Sequence, residues 1–248
     1  MIPYLNDRIC INVLAHDLEN AKEIYEAAEG HVVVGVLSIN YPTVEEAVTD
    51  MNRYAAALDN NLSIGLGAGN PNQWKAVGDI SEHVKANHIN QVFTAVAYTR
   101  AKVGDNHDSH INALVSPTGK PGYLAISTGP TSSHCDEPAI VSIDTAIAMV
   151  KDMGGNALKF FPMKGLQVKD ELKAVAKACA QNNLCLEPTG GIDLENYEEI
   201  MTIILDAGVQ HVIPHIYSSI IDADTGKTKV EDVKTIMDIN RKLLKKFK

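Results

Sequence analysis

The sequence predicts an α/β fold, a single (β/α)₈ TIM barrel over residues 1–248. Three features lead to this prediction: the alternation of strand-like and helical segments, the length of the chain and its hydrophobic content. Short apolar runs rich in β-branched residues alternate with helical patterns along nearly the whole chain. Eight such runs and roughly seven or eight helical patterns within 248 residues match this barrel. The hydrophobic content of 45% is enough to fill its core. A doubly wound open sheet is the alternative, although "GLGAGN" (65–70) lacks the complete GxGxxG spacing of its nucleotide site.

The predicted strands are the apolar runs themselves. In chain order they are residues 8–15, 31–39, 62–68, 91–97, 122–128, 157–163, 184–190 and 211–217. Helices are predicted between most of them, for example at 43–58, 168–183 and 230–247. Thr43 is a predicted N-cap, because Glu46 three residues later completes a capping box.

One segment, residues 105–127, interrupts this repeat because it shows no helical period. Within it, "PTGKPG" (117–122) has the composition of a turn. We therefore expect a hairpin-like insertion near the fifth predicted strand.

Charge and cysteine content exclude several classes of protein. The 22 basic and 31 acidic residues give a net charge of −9, which argues against a partner that is a nucleic acid or an anionic membrane. The four cysteines show no CxxC motif, so a disulfide framework is not expected. The N-terminus lacks a signal-peptide pattern, and no apolar run approaches 18 residues. We therefore expect a cytoplasmic protein.

A lysine stands inside the sixth predicted strand, "ALKFFPM" (157–163). Strand alternation places Lys159 on the face opposite Leu158 and Phe160. If that face points into the barrel, burial favours the neutral amine, which can attack a ketone and form a Schiff base. The alternatives are a lysine that extends to solvent and one that pairs with a carboxylate on a neighbouring strand.

The next two strand ends offer groups that suit an anion. "EPTGGIDLENY" (187–197) contains a Gly190-Gly191 turn whose backbone N–H groups can cradle a phosphate, although an ordinary turn is the alternative. "PHIYSSI" (214–220) adds His215, Tyr217, Ser218 and Ser219. Because phosphate sites in barrels often follow the seventh and eighth strands, we expect a phosphorylated keto substrate.

Three of these segments together resemble a known family. "LKFFPM" followed by "PTGGIDLENY" resembles the KFFPA…PTGGIxxxNY signature of the 2-keto-3-deoxy-6-phosphogluconate (KDPG) aldolases, and "GLGAGNPNQW" (65–74) resembles their GAGT…NPxQ region. The length and the insertion are similar to the branch associated with D-glucosaminate catabolism, the KDGP aldolases. The resemblance implies a class I (Schiff-base) aldolase on a TIM barrel, a lyase that forms pyruvate and glyceraldehyde 3-phosphate without a metal or other cofactor.

The resemblance also implies roles for individual residues. Lys159 would form the Schiff base, and Thr189, Gly190 and Gly191 would form the phosphate turn. Independently of the resemblance, Ser218 and Ser219 could add phosphate contacts, and His215 could contact the phosphate or act as an acid; a packed, hydrogen-bonded histidine is the alternative. The turn that holds Gly69 and Asn70 would face the substrate carboxylate, with Asn70 in place of the family's threonine. The shorter enzymes form trimers, so a small phosphorylated keto-sugar acid and a homo-oligomer, a trimer or a multiple of it, are the expected partners.

Two residues of the shorter enzymes are missing, the catalytic glutamate and the carboxylate-binding arginine of the second strand. Gly35 falls about where the glutamate would be. Glu187 is the predicted substitute base, a buried carboxylate with a raised pKa, although it could also form a structural ion pair with Lys159. Arg100 is a candidate for the carboxylate, since its fork suits bidentate binding; a solvated arginine is the alternative.

Other chemistries remain as alternatives. The "DNHDSH" stretch holds Asp105, His107, Asp108 and His110, which could ligate a divalent ion, although charge in such a segment usually faces solvent, and we predict no metal. The alternative functions are a metal-dependent aldolase or phosphosugar isomerase on the same barrel, and a non-catalytic phosphosugar-binding protein. Fold alone does not separate these functions.

Overall fold

The computed structural model describes residues 1–105 and 107–247, so Asn106, within the predicted insertion, and Lys248 lie outside the described residues. The strands are β1 (Ile11–Leu14), β2 (Val32–Leu37), β3 (Leu62–Gly65), β4 (His88–Val92), β5 (His110–Val115), β6 (Tyr123–Ala125), β7 (Ile140–Ser142), β8 (Ala157–Phe160) and β9 (Cys185–Pro188). Seven of them form one curled parallel sheet in the order β1-β2-β3-β4-β5-β8-β9, and β6 and β7 form a separate antiparallel pair.

Eight helices are described, and most of them follow a strand of the large sheet. They are α1 (Leu18–Ala27), α2 (Val44–Ala57), α3 (Trp74–Ser81), α4 (Val96–Val103), α5 (Ile143–Asp152), α6 (Lys169–Gln181), α7 (Tyr197–Asp206) and α8 (Val230–Lys246). The N-cap predicted at Thr43 is confirmed, because its hydroxyl accepts a hydrogen bond from the Glu46 N–H at 3.2 Å. Among the described residues, no helix has both the length and the apolar character that crossing a bilayer requires.

The segment 211–217 lies between the two edges of the large sheet. Its Val212 and His215 form parallel bridges with Ile9 and Asn12 on the β1 side. The same two residues form parallel bridges with Leu186 and Thr189 on the β9 side. Backbone hydrogen bonds therefore connect both edges of the curled sheet through this segment.

The fifth strand of the large sheet corrects the sequence prediction. It is β5, inside the segment that was predicted as an insertion, and not 122–128. Residues 122–128 instead supply β6, which pairs with β7 and adds a bridge between Ser116 and Ala125. The prediction failed because β5 carries polar residues, His110 and Asn112, on its inward face, and these interrupt the expected apolar pattern.

The fourth strand is shifted for the same reason. It was predicted at 91–97, but β4 begins at His88 and ends at Val92. His88 and Asn90 are buried, with 0% and 2% of their surface exposed, and they contact other polar side chains inside the curled sheet. The residues after Val92 form a short 3₁₀ turn and then α4.

The large sheet separates two regions of the protein core. A large apolar cluster fills the space between the sheet and the helices. Inside the sheet, a small apolar cluster lies at the amino ends of the strands; its buried members are Ile2, Cys10, Val33, Ala157, Cys185 and Ile213. Nearer the carboxyl ends, the interior is polar, with Asn12, Ser63, His88, Asn90, Asn112, Lys159, Glu187 and His215 all buried. This polar layer forms the floor of the candidate site.

Candidate active site

A cavity of about 420 Å³ opens at the carboxyl ends of the strands. This is the end of a parallel β/α sheet at which loops can present functional groups. The cavity is lined by Leu14, Leu37, Gly65, Leu66, Gly67, Ala68, Gly69, Asn90, Lys159, Phe161, Thr189, Gly190, Gly191, Ile192, His215, Tyr217 and Ser218. Lys159 is the one lysine, arginine or carboxylate among these lining residues.

Lys159 lines this cavity, which is the orientation that a Schiff-base role requires. It lies on β8 between Leu114 of β5 and Glu187 of β9, and it is 8% exposed. Its Nζ donates a hydrogen bond to Asn90 Oδ1 at 2.9 Å. Burial lowers the pKa of Lys159 from 10.5 to about 8, although the charge of Glu187 acts in the opposite direction. Roughly a tenth of the amine is therefore neutral at pH 7, which suits a nucleophile.

Glu187 is fully buried, and its carboxylate is surrounded by donors. His215 Nε2 and Asn112 Nδ2 lie 2.7 and 2.6 Å from Oε2, and His88 Nε2 lies 3.1 Å from both oxygens. His110 Nε2 is 3.2 Å from Oε1 but lies off the direction of a hydrogen bond. Glu187 does not line the cavity described above.

These contacts correct the predicted ionisation of Glu187. Burial acts to raise the pKa, but the contacts with the three histidines outweigh it and hold the pKa of Glu187 well below its ordinary value of 4.5. The carboxylate is therefore ionised at neutral pH, and it is shielded from a molecule in the cavity. The alternative, a direct ion pair between Glu187 and Lys159, is not formed, because no described carboxylate lies within 4.0 Å of that ammonium.

A metal ion could in principle bind between His88, His110 and Glu187, whose ligand atoms all lie within 4.8 Å of one another. The hydrogen bonds around His88 favour a state in which its Nε2 is protonated and faces the Glu187 carboxylate. Ser63 Oγ accepts from the amides of Asn12 and Asn90 at 2.9 and 3.0 Å, so its own proton points to His88 Nδ1 at 2.8 Å. His88 Nε2 then carries a proton and donates to Glu187. A protonated nitrogen has no lone pair for a metal, so the residues fit a hydrogen-bonded carboxylate.

His215 lies at the base of the cavity, and its two ring nitrogens already have protein partners. Nε2 contacts Glu187 Oε2 at 2.7 Å, and Nδ1 contacts the Tyr217 hydroxyl at 2.8 Å. Burial, followed by the positive charge of Lys159, lowers the pKa of His215 to about 3. The predicted phosphate contact of His215 is therefore corrected, since neither nitrogen is free to meet a ligand.

The Gly-Gly turn after β9 supports the predicted anion site. The backbone N–H groups of Gly190, Gly191 and Ile192 donate to no acceptor among the described residues. Gly191 has φ +69°, and a Cβ there would lie 2.5 Å from Gly165 N, so the close approach requires glycine. Thr189 and Ser218 also line the cavity, whereas the Ser219 hydroxyl donates to Ile192 O at 2.7 Å.

The turn after β3 contributes backbone rather than the predicted side chain. Gly67, Ala68 and Gly69 line the cavity, and the N–H groups of Ala68 and Gly69 have no described acceptor. Asn70 lies outside it: its N–H donates to Gly67 O at 2.8 Å and its Oδ1 accepts from Asn72 N at 3.0 Å. The prediction for Asn70 is corrected, and Gly69 remains a candidate.

Arg100 is also corrected, because it lies at the opposite end of the sheet. Its guanidinium donates to Gly154 O, Ser109 O and Asn156 Oδ1, each at 2.9 Å, beside the amino ends of β5 and β8. Asp105, His107, Asp108 and His110 form no common metal-binding group among the described residues: His107 contacts Asn87, and His110 turns toward Glu187.

Sequence reasoning missed four polar residues inside the sheet, Asn12, His88, Asn90 and Asn112, and gave no role to Tyr217. The sequence did contain a signal for these residues, namely polar side chains at every second position. Asn90 and His88 on β4, and Asn112 and His110 on β5, stand two residues apart, as one face of a strand requires. Polar residues at that spacing inside a predicted parallel sheet indicate a polar barrel interior.

Comparisons with known proteins agree on one family. The profile of the KDGP aldolase family matches residues 5–224. A curated 2-dehydro-3-deoxy-phosphogluconate aldolase of Salmonella typhimurium is 47% identical over 246 residues, covering 98% of this chain and 99% of the relative.

Solved structures of similar fold are more distant in sequence. KGPDC from Streptococcus mutans has a TM-score of 0.57 at 13% identity and covers 94% of this chain and 98% of its own. N-(5'-phosphoribosyl)anthranilate isomerase from Pyrococcus furiosus has a TM-score of 0.54 at 14% identity, covering 95% of this chain and 100% of its own. At such identities the likeness concerns the fold alone.

Proposed function

Because the chain belongs to the KDGP aldolase family, we propose that it is a class I aldolase that cleaves KDPG into pyruvate and glyceraldehyde 3-phosphate. KDPG is the 2-dehydro-3-deoxy-phosphogluconate in the name of the Salmonella relative. The observation that carries the mechanism is Lys159, whose pKa of about 8 and position in the cavity suit a Schiff-base amine.

The reaction begins when neutral Lys159 Nζ attacks the C2 ketone of the substrate. Loss of water from the carbinolamine leaves an iminium ion, which is an electron sink next to the bond to be broken. The C3–C4 bond then breaks: its electron pair moves toward the iminium nitrogen and gives an enamine, while the C4 hydroxyl loses its proton and becomes the aldehyde. Protonation of the enamine and hydrolysis release pyruvate and regenerate Lys159.

The two anionic ends of the substrate meet backbone donors. We assign the phosphate to the free N–H groups of Gly190 and Gly191, with Thr189 and Ser218 beside them; the Ser219 hydroxyl instead supports the turn through Ile192 O. The carboxylate is assigned to the turn at Gly69, on the other side of Lys159. Backbone cradles suit this chain because no arginine is among the described residues that line the cavity.

The direct test is to incubate the protein with pyruvate and borohydride, and then to measure intact mass and map peptides. One reduced pyruvate on the peptide that contains Lys159 is the expected result. A folded protein that binds pyruvate but stays unlabelled would contradict the Schiff-base mechanism. Loss of cleavage with a chelator would then favour a metal-dependent enzyme, and binding without turnover would favour a phosphosugar-binding protein.

The pH dependence of imine formation should follow the pKa of Lys159. The neutral amine is the reactive form, so the initial rate with pyruvate should rise about tenfold per pH unit below about pH 8 and level off above it. Cyanoborohydride trapping between about pH 6 and 9 measures this rate. A profile that is flat over the whole range, or one that still rises steeply at its upper end, would be incompatible with a lysine of lowered pKa.

The substrate phosphate should contribute strongly to kcat/KM. A 2-keto-3-deoxygluconate that lacks the phosphate leaves the N–H groups of Gly190 and Gly191 without their charged acceptor. We expect its kcat/KM to be lower by about 10³-fold. Steady-state kinetics with both substrates measure the difference, and inorganic phosphate serves as a competing control. Equal cleavage of the two substrates would remove the phosphate site from this cavity.

Several finer assignments also remain proposals. We propose one closed (β/α)₈ domain over residues 1–248 with 211–217 as its eighth strand, which the bridges on both sides of that segment support. Membership of the branch associated with D-glucosaminate catabolism, a trimeric or related homo-oligomer and a cytoplasmic location stay predictions from the sequence.

A further inference from the structure

We propose that the Tyr217 hydroxyl exchanges protons with the substrate, and that His215 and Glu187 form a relay behind it. This inference rests on the aldolase function proposed above. The reaction needs a group that removes the C4 hydroxyl proton and returns a proton to C3 of the enamine. The second strand, β2, carries no titratable side chain that could do this.

Few groups in the cavity can fill this role. Among the described lining residues, the side chains with polar atoms are Asn90, Lys159, Thr189, His215, Tyr217 and Ser218. Lys159 is occupied by the imine, and an amide or an aliphatic hydroxyl alone is a poor acid or base at neutral pH. His215 has both nitrogens engaged inside the protein. Tyr217 is the remaining group that combines a place in the cavity with a connection to a base.

The three side chains form a continuous line from the buried interior to the cavity. Glu187 and His215 have fully buried side chains and are joined at 2.7 Å. His215 Nδ1 lies 2.8 Å from the Tyr217 hydroxyl, and Tyr217 lines the cavity. Burial and the charge of Glu187 raise the pKa of Tyr217, so the phenol stays neutral at rest and passes protons only in concert with His215. The hydroxyl oxygen also lies 3.1 Å from Asn12 Oδ1. Tyr217 therefore ends the line where a substrate would lie.

This arrangement accommodates the proton in two positions without movement of heavy atoms. With Glu187 ionised, His215 Nε2–H donates to the carboxylate, and Nδ1 accepts the Tyr217 proton. After proton transfer, Nδ1–H donates to the Tyr217 oxygen, whose new proton points to Asn12 Oδ1. The heavy atoms keep their positions in both states, and only the Tyr217 proton changes acceptor between His215 Nδ1 at 2.8 Å and Asn12 Oδ1 at 3.1 Å, so little reorganisation accompanies the transfer.

Every proton that the relay takes from the substrate during cleavage returns to it before pyruvate is released. The C4 hydroxyl proton moves to the Tyr217 oxygen as the Tyr217 proton moves to His215 Nδ1, and the C3–C4 electron pair becomes part of the enamine. In the return, the enamine reforms the iminium ion while C3 takes the proton from Tyr217. The tyrosine oxygen then recovers its proton from His215, and water hydrolyses the iminium.

Electrostatics favour protonation of His215 at the same time as cleavage of the C3–C4 bond. The positive charge of Lys159 is one reason that the pKa of His215 is low, after burial itself. Cleavage converts the cationic iminium at Lys159 into a neutral enamine, so this repulsion disappears as His215 becomes charged. The ionised Glu187 then stabilises the imidazolium at 2.7 Å. The positive charge moves from one side chain to another, and the net charge of the site does not change.

The test separates imine formation from proton transfer. Tyr217→Phe removes only the hydroxyl, so we expect pyruvate labelling at Lys159 to reach the wild-type extent with borohydride. In deuterated water, exchange of the pyruvate methyl protons should slow by about 10²-fold or more, and kcat for KDPG cleavage should fall by a similar factor. Proton NMR of the pyruvate methyl signal measures the exchange. Tyr98→Phe is the matched control, because its hydroxyl donates to Asp79 away from the cavity.

His215→Gln provides a second variant, which keeps the Tyr217 hydroxyl but removes its proton acceptor. It should lower kcat and methyl exchange while KM stays within about threefold, because His215 acts through Tyr217 and not on the substrate. Labelled Tyr217→Phe protein with wild-type methyl exchange would overturn the relay and leave the Schiff base intact. Absence of labelling in the wild-type protein would instead contradict the aldolase function itself.

Discussion

Lys159→Met is expected to abolish KDPG cleavage, with a loss of kcat on the order of 10⁴-fold or more, because the variant has no amine to form the imine. Labelling by pyruvate and borohydride should disappear as well. Methionine has a similar length and no charge, so it can occupy the same interior position. The fold should survive, since Lys159 makes one observed side-chain hydrogen bond, to Asn90, and its ammonium is unfavourably buried.

The measurement is KDPG cleavage followed through pyruvate release, with circular dichroism and thermal unfolding as checks on the fold. Lys177→Met is the matched control, because Lys177 is exposed on α6. The control should keep wild-type activity and labelling. Cleavage by Lys159→Met at a rate near that of the control would end the Schiff-base assignment, whatever the labelling experiment shows.

Glu187→Gln is expected to lower both stability and turnover. An amide offers one acceptor oxygen and one NH₂ donor in a space where His88, Asn112 and His215 already supply donors. At least one buried donor then loses its acceptor, so the free energy of unfolding should fall by about 3 kcal/mol at pH 7. Turnover should fall by about 10²-fold, because His215 loses the anion that stabilises its charged form.

The stability difference should depend on pH with a definite sign. The folded-state pKa of Glu187 is lower than its ordinary value of 4.5, so the carboxylate stabilises the folded protein fully above that value. The contribution is lost as the pH falls through the lowered folded-state pKa. Urea unfolding of the wild type and of Glu187→Gln should therefore differ most near neutral pH and converge in acid.

Glu171→Gln is the matched control, since Glu171 is also buried but accepts from Thr118 N and Gly119 N away from the cavity. This control should keep wild-type kcat even if it loses some stability. If Glu187→Gln were as stable and as active as the wild type, the carboxylate would have neither the structural nor the catalytic role assigned to it.

The outline of this protein follows from local sequence patterns. The apolar runs that formed β1, β2, β3, β8 and β9 are recognisable because strand formation depends on neighbouring residues. Two-residue alternation places Lys159 on the face opposite Leu158 and Phe160, and the Gly190-Gly191 turn follows from the conformational freedom of glycine; which face of the strand points inward is decided only by the folded sheet. Strands β4 and β5 were misplaced, because polar residues on their inward faces resemble loop sequence when they are considered without the rest of the sheet.

The properties of the site depend on contacts between residues far apart in the chain. The ionisation of Glu187 reverses the sequence prediction because His88, 99 residues away, and Asn112, 75 residues away, place donors on its carboxylate. The link from Glu187 through His215 to Tyr217, and the position of Arg100 at the opposite end of the sheet, depend equally on how the strands are arranged around the interior. A pKa or a proton relay is set by distances of about 3 Å in space, and sequence separation does not encode these distances until the chain has folded.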